Sequence, residues 1–330
     1  MKQIFLITGC AGFIGSHMVD YILKKGHKVI GIDNLTSGKK INIIHNLKNK
    51  NFRFYKLDLK NIERLKRLKK IDYVIHLAGY GELIPSIERP LDYFYNNAYN
   101  TAKLTDYIRK KKFKLKKFIY AASSSCYGIS NYKTSESTKI KIEHPYAFTK
   151  FVGEQVCLHW GKVYKIPTIS IRIFNAYGPR SRTTNVYGAV IGVFLKQRIA
   201  KKPLTIIGKG DQKRDFLFIS DLCDAFYKAA MSNFKNEIFN LGNGLPRKIN
   251  DLAKLIYEDY INIPWRPGEP KITHADISKI KNKLNWKPKI SLETGIARVL
   301  KDLSYWKKAP LWTEKKIEKA TKNWMQLLKN

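Results

Sequence analysis

The sequence is poor in acidic residues and cysteine, and it has no long hydrophobic run. Its 330 residues include 26 Asp and Glu and only 4 Cys. The cysteines show no C-x-x-C pairing and no metal-ligand spacing, which argues against a zinc site or a disulfide framework. No segment approaches the roughly 18 consecutive apolar residues of a membrane span, and the short apolar run at the N-terminus has no cleavage site. We therefore expect a cytoplasmic protein without a metal or a membrane partner.

The shortage of acidic residues leaves a formal net charge of +36. Clustered basic residues can bind nucleic-acid phosphates. Here, however, the excess is mostly lysine, with 13 arginines, and it is spread along the chain. Dedicated nucleic-acid surfaces favour arginine interleaved with aromatic residues, so we expect no specific nucleic-acid partner. The other interpretations are a lysine-rich drift in composition and a positive field that attracts an anionic small substrate.

Short apolar runs alternate with helix-like segments in the first half of the chain. Such runs are typical of buried parallel strands, and their alternation with helices predicts a doubly wound α/β sheet. The predicted strands cover residues 3–8, 28–32, 52–55, 73–76, 117–121 and 168–173. After about Pro179, frequent Gly and Pro predict a smaller C-terminal α/β lid. The helix-like stretch 217–230 should return to the sheet.

A glycine-rich segment follows the first predicted strand and opens a helix. Gly9, Gly12 and Gly15 have the G-x-x-G-x-x-G spacing. This spacing allows a tight turn and the close approach of a pyrophosphate to a helix N-terminus. The segment therefore predicts a dinucleotide site; the alternative is a turn that only permits close helix packing.

Two acidic residues follow the next predicted strands. Asp33 ends the second strand, where a carboxylate accepts hydrogen bonds from ribose hydroxyls and repels a 2′-phosphate, so NAD is favoured over NADP. Lys39 and Lys40 would soften this preference if they folded back. Asp58 follows the third strand and either accepts from the adenine amino group or caps a helix.

Tyr146, Lys150 and Ser123 form the candidate catalytic group, and Ser124, Ser125 and Glu82 are candidate substrate contacts. Tyr146 and Lys150 lie one helical turn apart, and the cation should favour the phenolate so that the tyrosine acts as a base. Ser123, Ser124 and Ser125 follow a predicted strand at its carboxyl end, where ligands bind in open parallel sheets. Alone, these patterns also fit a surface pair and a polar strand-to-loop transition.

The sequence resembles the extended short-chain dehydrogenase/reductase family, in particular its nucleotide-sugar epimerases and dehydratases, in ITGCAGFIGSH, HLAG, YAASSSCYG, RIFNAYGPR, QKRDFLFISD, NLGNG and RPGE. The resemblance covers nearly the whole chain. It implies a Rossmann-type fold, NAD as the cofactor and a nucleotide diphosphate sugar as the substrate. Tyr146 would then take the proton of the sugar 4-hydroxyl, Ser123 would hold that hydroxyl, and Lys150 would orient the nicotinamide ribose.

The resemblance also implies further ligand contacts. Asn175, Arg214 and Arg266 would bind the phosphates, and Glu269 the nucleotide ribose; the planar arginine fork matches phosphate oxygens. The alternative for Arg214 is a structural ion pair with Asp215. The remaining cofactor contacts that we predict are Phe13, Ile14, Asn34, Leu59, Leu77, Ala78 and Asn97.

We predict an NAD-binding domain over residues 1–178, to which 217–245 returns, and a nucleotide-sugar-binding domain over 179–216 and 246–330. The segments 92–110 and 147–164 are predicted helices with apolar faces. In relatives the matching helices pair across a two-fold axis, so we expect a homodimer. The alternative is that both faces pack against their own sheet.

The serine triplet discriminates between the family's reactions. Its 4,6-dehydratases carry Asp and Glu where this chain has Ser124 and Ser125, and an unassisted serine is a poor proton shuttle. Its decarboxylases usually keep a glutamate at the second position. The sequence therefore predicts a 4-epimerase that acts through a transient 4-keto sugar. The alternatives within the family are a 4,6-dehydratase, a 4-dehydrogenase or a decarboxylase that uses another acid-base group, such as Glu82. The alternative that is not an enzyme is a dinucleotide-sensing protein, but a sensor would have no need of Tyr146 and Lys150.

One position bears on the choice of sugar. In the family's hexose 4-epimerases, the residue four places after the acidic residue at Glu269 borders the sugar C2 substituent, and a bulky tyrosine there restricts the pocket. This chain has Thr273, which leaves room for an N-acetyl group. We predict a UDP-hexose or UDP-N-acetylhexosamine substrate, used for cell-surface polysaccharide (lipopolysaccharide) synthesis. The alternative is a strand threonine without a ligand contact.

Overall fold

A seven-stranded parallel sheet forms the centre of the fold in the computed structural model, which describes residues 2–66, 68–181 and 189–327. The strands of the chain are β1 (Ile4–Thr8), β2 (Lys28–Asp33), β3 (Phe52–Lys56), β4 (Tyr73–His76), β5 (Lys117–Ser123), β6 (Thr168–Ile173), β7 (Asn175–Tyr177), β8 (Leu204–Ile207), β9 (Lys213–Arg214), β10 (Phe216–Phe218), β11 (Glu237–Leu241), β12 (Arg247–Lys248) and β13 (Tyr260–Ile263). The sheet order is β11-β6-β5-β4-β1-β2-β3. The order reverses at β1, and ligands of open α/β sheets bind outside the carboxyl ends of the strands at such a point.

The α-helices are α1 (Phe13–Lys24), α2 (Ile84–Glu88), α3 (Pro90–Tyr93), α4 (Asn100–Lys111), α5 (Pro145–Val163), α6 (Val190–Ile199), α7 (Ile219–Met231), α8 (Ile249–Ile256), α9 (Ser278–Leu284), α10 (Leu292–Leu300), α11 (Ser304–Lys307) and α12 (Glu314–Leu327). A π-helical segment, Phe94–Tyr99, joins α3 to α4. Short 3-10 helices cover Lys40–Asn42, Ile44–Asn46, Leu59–Arg64 and Ser124–Tyr127.

Alternate side chains of the sheet enter two separate hydrophobic cores. In β1, Phe5 and Ile7 belong to the larger core with α1 and α7, whereas Leu6 belongs to the second core with α4. Successive side chains of a strand point to opposite faces, so a strand covered on both faces is apolar at most of its positions. This explains the continuous apolar runs of the sequence, and the predicted α/β class is confirmed.

The later part of the chain forms three small two-stranded sheets. The parallel pairs are β7 with β10 and β8 with β13, and β9 pairs with β12 in antiparallel fashion. Strand β11 returns to the main sheet beside β6. The division into two domains stays a prediction, and residues 182–188 and 328–330 of the second domain lie outside the described part of the chain.

The predicted strands agree with β1 to β6 to within about two residues at each end. The predicted helix over 217–230 is wrong at its start. Leu217 and Phe218 belong to β10, which pairs with β7, and α7 begins at Ile219. Helix-like apolar periodicity does not separate a short buried strand from the helix that follows it directly.

All four cysteines, Cys10, Cys126, Cys157 and Cys223, are buried and none forms a disulfide. Burial raises the pKa of the Cys126 and Cys157 thiols to about 12, so these thiols are protonated and unreactive near neutral pH. Across residues 2–66, 68–181 and 189–327, we find no helix with the length and hydropathy needed to cross a bilayer.

Candidate active site

The glycines of the turn between β1 and α1 let a ligand approach the backbone closely. Gly9 has φ +68°, and a Cβ on Gly15 would lie 2.0 Å from the Gly9 carbonyl oxygen. Gly12 is the N-cap of α1, and it makes no side-chain capping hydrogen bond. A helix N-terminus without a capping side chain offers backbone N–H groups and a positive dipole end to an anion. The turn therefore fits the pyrophosphate of a dinucleotide.

Asp33 lies beside this turn, at the carboxyl end of β2. One carboxylate oxygen accepts a hydrogen bond from the Ala11 amide at 2.9 Å, and the other accepts from the Leu35 amide at 2.8 Å. Burial raises the pKa of Asp33, and these two hydrogen bonds oppose the effect. Each carboxylate oxygen has a second lone pair, so Asp33 can hold the turn and still accept from a ribose hydroxyl.

The side chain of Lys39 lies against an aromatic ring. Its ammonium lies 5.0 Å from the centroid of the Tyr305 ring, and its backbone amide donates to the carbonyl oxygen of Ala11. Because Lys39 also lines the cleft beside the glycine turn, a softening of the NAD preference by Lys39 or Lys40 stays a prediction.

Asp58 fits both of its sequence-based interpretations. Its side chain caps the 3-10 helix after β3 by accepting from the Lys60 amide at 2.9 Å, and its other oxygen accepts from the Asn34 amide group at 2.8 Å. Asp58 also lines the small pocket next to Asp33. The cap and a contact with an adenine amino group are therefore compatible.

Asn97 lies behind the cofactor cleft, in the π-helical segment. Its side chain accepts from the Tyr80 amide at 2.7 Å and donates to the Tyr80 carbonyl oxygen and to the Thr149 hydroxyl. The residue is buried and does not line either pocket. Asn97 thus fixes the loop after β4 against α5 and supports the site through Tyr80.

Tyr146 stands at the start of α5. His144 caps this helix by accepting from the Ala147 amide at 3.2 Å, and Pro145 occupies the first helical position. Burial raises the pKa of Tyr146, the nearby charge of Glu82 raises it further, and a hydrogen bond with Ser123 lowers it. Burial thus dominates and keeps the pKa of Tyr146 above its ordinary value, and the expectation that Lys150 favours the phenolate stays a prediction.

Lys150 follows one turn later, and its ammonium lies 4.6 Å from the centroid of the Tyr120 ring. Burial lowers the pKa of Lys150 to about 8, although the neighbouring Cys157 and Glu154 oppose this effect. A buried ammonium with a lowered pKa is poised near neutral pH, which is a property of functional sites.

The three serines extend from β5 into the next 3-10 helix. Ser123 ends the strand, and its hydroxyl donates to Ser125 at 3.1 Å and accepts from the Ser125 amide at 3.2 Å. Ser123 is also the hydrogen-bond partner of Tyr146. A substrate hydroxyl between Ser123 and Tyr146 would therefore meet both groups at once.

Arg214 and Arg266 converge on the partly buried carboxylate of Glu269. Arg214 forms an ion pair with Glu269 and donates to the Pro270 carbonyl oxygen at 2.7 Å, and Arg266 donates to Glu269 at 2.9 Å. Burial raises the pKa of Glu269, but the charges of Arg266 and Arg214 outweigh burial and hold it below its ordinary value. The pair thus presents two cations around one anion, which leaves a net positive charge for a diphosphate.

The alternative pairing of Arg214 with Asp215 is wrong. Asp215 is fully buried and accepts backbone hydrogen bonds from Asn243, Gly244 and Ala275. These bonds come from two loops that sequence spacing alone does not bring together. Asp215 therefore ties the loop after β11 to the segment that carries Thr273, and it leaves Arg214 to Glu269.

Thr273 lies outside the named strands, so its interpretation as a strand threonine is wrong. It stands between isolated bridges at Ile272 and Ala275. Its hydroxyl donates to the side-chain oxygen of Asn175 at 2.8 Å and accepts from the Asp215 amide at 3.2 Å. Thr273 and Asn175 thus form one polar unit on the cleft wall.

A small pocket and a cleft of about 660 Å³ bring nearly all of the predicted residues together. The cleft runs from the glycine turn past α5 to the arginine pair. The pocket is lined by Gly9, Gly12, Asp33, Asn34, Asp58, Leu59, Leu77 and Ala78. The cleft is lined by Gly9, Gly12, Phe13, Ile14, Gly15, Leu77, Glu82, Ser123, Ser124, Ser125, Tyr146, Lys150, Asn175, Arg214, Arg266, Glu269 and Thr273.

Several cleft residues were not predicted from the sequence. Arg180 lines the cleft and pairs with Asp20 of α1 at 2.6 Å. His144 and Trp324 also line it, and their ring centroids are 6.1 Å apart. The His-Pro pair directly before Tyr146 was a usable signal for a capped helix start. No local pattern could place Trp324, because it is 180 positions away from His144 along the chain.

Comparisons with known proteins agree with this geometry. Residues 5–242 match the NAD dependent epimerase/dehydratase family. The UDP-glucuronate 4-epimerase of Thermodesulfobacterium geofontis is 33% identical over 314 residues, which cover 90% of this chain and 94% of that protein.

Two solved structures share the whole fold. The UDP-glucuronic acid 4-epimerase of Bacillus cereus, in complex with UDP-glucuronic acid and NAD, has a TM-score of 0.85 and 33% identity, with 93% of this chain and 99% of that chain covered. The UDP-N-acetylglucosamine 4-epimerase of Methanobrevibacter ruminantium, in complex with UDP-N-acetylmuramic acid, has a TM-score of 0.84 and 32% identity, with 91% and 99% covered. The chain therefore belongs to the NAD dependent epimerase/dehydratase family.

Proposed function

We propose that the protein is an NAD-dependent nucleotide-sugar 4-epimerase of the cytoplasm, acting through a transient 4-keto sugar on a UDP-hexose or UDP-N-acetylhexosamine for cell-surface polysaccharide synthesis. The observation that carries the proposal is that Ser123, Tyr146 and Lys150 line the same cleft as the glycine turn and the arginine pair. The related 4-epimerases that bind UDP-sugars support it.

The proposed roles follow from the contacts. The phenolate of Tyr146 takes the proton of the sugar 4-hydroxyl, and Ser123 donates a hydrogen bond to the same oxygen. The chemistry that NAD supplies when bound is the reversible acceptance of the C4 hydride. Lys150 orients the nicotinamide ribose and favours the phenolate through its charge, and the arginine pair holds the diphosphate while the keto sugar rotates. Once the keto sugar has presented its opposite face and C4 has regained the hydride there, Tyr146 returns its proton to the 4-oxygen, so the cofactor is unchanged after one cycle.

A second candidate is a 4,6-dehydratase or a decarboxylase. One observation favours keeping it, because Glu82 lines the same cleft and its charge acts on Tyr146. A carboxylate is a better proton shuttle than Ser124 or Ser125. In that case Glu82 would serve as the acid-base group that these serines do not provide.

The deciding experiment is incubation with a panel of UDP-, dTDP-, GDP- and CDP-sugars, followed by identification of the products by NMR. A 4-epimerase yields the C4 epimer of one panel member with no net change in NAD. A 4-keto-6-deoxy product would favour the dehydratase, and loss of carbon dioxide from a uronic acid would favour the decarboxylase. Tight NAD binding with no product from any sugar would favour a dinucleotide sensor.

Thr273 is proposed to set the choice of sugar. We expect Thr273→Tyr to abolish turnover of N-acetylated substrates and to spare unsubstituted hexoses, because overfilling a close-packed site costs about 1 to 3 kcal/mol. The measurement is kcat/KM for UDP-N-acetylglucosamine and UDP-glucose. Thr273→Val is the matched control, since it removes the hydrogen bond to Asn175 but adds no bulk. Equal loss on both sugars would exclude Thr273 from the sugar pocket.

A homodimer is proposed from exposed aromatic residues on the two predicted helices. Tyr95 is 50% exposed, Tyr99 47% and Phe148 47%, and their helical segments pack against each other. Single exposed apolar residues are ordinary, but neighbouring exposed rings such as Tyr95 and Tyr99, whose centroids are 5.9 Å apart, favour an interaction face.

We expect light scattering at micromolar concentration to give the mass of two chains, and we expect Tyr99→Arg to give the mass of one. Leu245→Arg is the control, because Leu245 is 71% exposed in the loop between β11 and β12, away from these helices. A monomeric wild-type protein would contradict the dimer.

A further inference from the structure

The C-terminal helix α12 carries an inward-facing stripe of three residues. Ile317, Thr321 and Trp324 are buried and follow the i, i+4, i+7 spacing of one helix face. Asn323, on the neighbouring face, donates to Glu88 of α2 at 3.3 Å. Of the three inward residues, Trp324 lines the cleft. The helix thus closes one side of the candidate active site with a single large ring.

Trp324 contacts an element at each end of the cleft. Its indole N–H donates to the carbonyl oxygen of Pro267, the residue that follows Arg266, at 2.5 Å. Its ring lies 6.1 Å from the His144 ring, which in turn stacks on Tyr146 at 6.0 Å with an interplanar angle of 3°. A nucleotide sugar that places C4 at Tyr146 and its phosphates at Arg266 must hold its sugar ring between these two points.

The wall that faces this space is aromatic and uncharged. Burial lowers the pKa of His144 to about 4, so the imidazole is neutral near neutral pH, and one ring nitrogen is already used by the Ala147 amide. Neutral aromatic rings bury a large apolar surface, and such a wall suits the apolar C–H face of a pyranose rather than a phosphate.

We propose that Trp324 is a substrate-positioning residue, and that its indole, together with His144, forms the wall against which the sugar ring packs. This role rests on the proposed function. The C-terminal helix α12 thereby contributes to substrate binding, because it places Trp324 between the base Tyr146 and the phosphate site at Arg266. Trp324 limits the orientations of the bound sugar and does not act on the nucleotide.

The test is calorimetric binding of UDP, UDP-glucose, UDP-N-acetylglucosamine and UDP-glucuronic acid to the full-length, NAD-loaded protein in a Tyr146→Phe background, which prevents turnover. We expect Trp324→Ala to weaken binding of the accepted UDP-sugar by about tenfold, or about 1.4 kcal/mol, and to leave the affinity for UDP unchanged. Trp324→Phe, which keeps a ring but loses the bond to Pro267, should restore most of the affinity.

Ile317→Ala is the matched control. Ile317 is buried on the same helix face and does not line the cleft, so this variant loosens the helix without removing the wall. Equal weakening by Ile317→Ala, or equal weakening of UDP and UDP-sugar by Trp324→Ala, would overturn the inference. Unchanged UDP-sugar affinity in Trp324→Ala would overturn it while the proposed function stands. A parent protein that binds UDP but none of the three UDP-sugars would contradict the proposed function, and with it this role.

Discussion

Replacing Tyr146 with Phe should lower turnover of the accepted nucleotide sugar by about 10²-fold or more, because removal of a positioned base typically costs 10² to 10⁴. The variant should still contain NAD, since no hydrogen bond or ring contact within residues 2–66, 68–181 and 189–327 joins Tyr146 to the glycine turn or to Asp33. The phenylalanine ring also preserves the stacking on His144 and the edge contact with Tyr93. Activity by a coupled assay and NAD content after denaturation are the two measurements.

The pH dependence gives this prediction a second readout. The pKa of Tyr146 lies above its ordinary value, because burial and the charge of Glu82 outweigh the Ser123 hydrogen bond. The fraction of phenolate therefore rises with pH throughout the neutral and alkaline range. We expect kcat/KM of the wild-type protein to rise with pH up to about 8, where Lys150 begins to lose its charge, and we expect the residual activity of Tyr146→Phe to lack this rise.

Tyr93→Phe is the matched control for Tyr146→Phe. The Tyr93 ring packs edge-on against Tyr146 with centroids 6.4 Å apart, but Tyr93 does not line the cleft. Its hydroxyl should be dispensable for turnover. A Tyr146→Phe variant with full activity, or a Tyr93→Phe variant with the same large loss, would remove Tyr146 from the role of base.

The features that the sequence predicted well are local. The glycine turn depends on residues within one turn, and the Tyr146–Lys150 pair depends on residues within one helix. In both cases the spacing along the chain is enough to predict the local arrangement. The prediction for Asp33 required only that the second strand be placed correctly. The resemblance to a known family then supplied residues from distant segments, such as Asn175 and Thr273, which no local pattern could have brought into one cleft.

The features that the sequence did not predict depend on long-range packing. Arg214 and Glu269 are 55 positions apart, and their pairing follows from the loop that carries Arg266 folding onto β9. The direction of the Tyr146 pKa shift depends on how deeply the whole fold buries the phenol. Trp324 reaches the cleft only because α12 packs back across α2. Each of these outcomes is decided by tertiary contacts.

A buried ion pair holds the catalytic helix against the sheet. Arg172 of β6 donates to Glu154 of α5 at 3.0 and 2.6 Å, and Ser170 donates to the same carboxylate at 2.7 Å. Burial lowers the pKa of Arg172, but the hydrogen bonds and charge of Glu154 outweigh burial and raise it. Arg172 also donates to the Tyr127 hydroxyl, which donates to Asn240 of β11. The network thus joins α5, β6 and β11.

Arg172→Leu should lower the free energy of unfolding by about 3 to 5 kcal/mol, because it leaves the Glu154 carboxylate buried without its cation. The side chains of Arg172 and Glu154 are 3% and 1% exposed, so water cannot compensate. The double variant Arg172→Leu with Glu154→Leu should recover much of the loss, because replacing both charges of a buried pair by apolar groups is often close to neutral. Urea denaturation of the three proteins gives the comparison.

Arg109→Leu provides the surface control for this prediction. Arg109 pairs with Asp106 at 2.7 Å, and both side chains are about one-third exposed, so the loss should stay below about 1 kcal/mol. Because Glu154 lies one turn after Lys150 on α5, Arg172→Leu should also reduce kcat more than Arg109→Leu does. Equal stability losses for the buried and surface variants would show that the Glu154–Arg172 pair does not hold α5 in place.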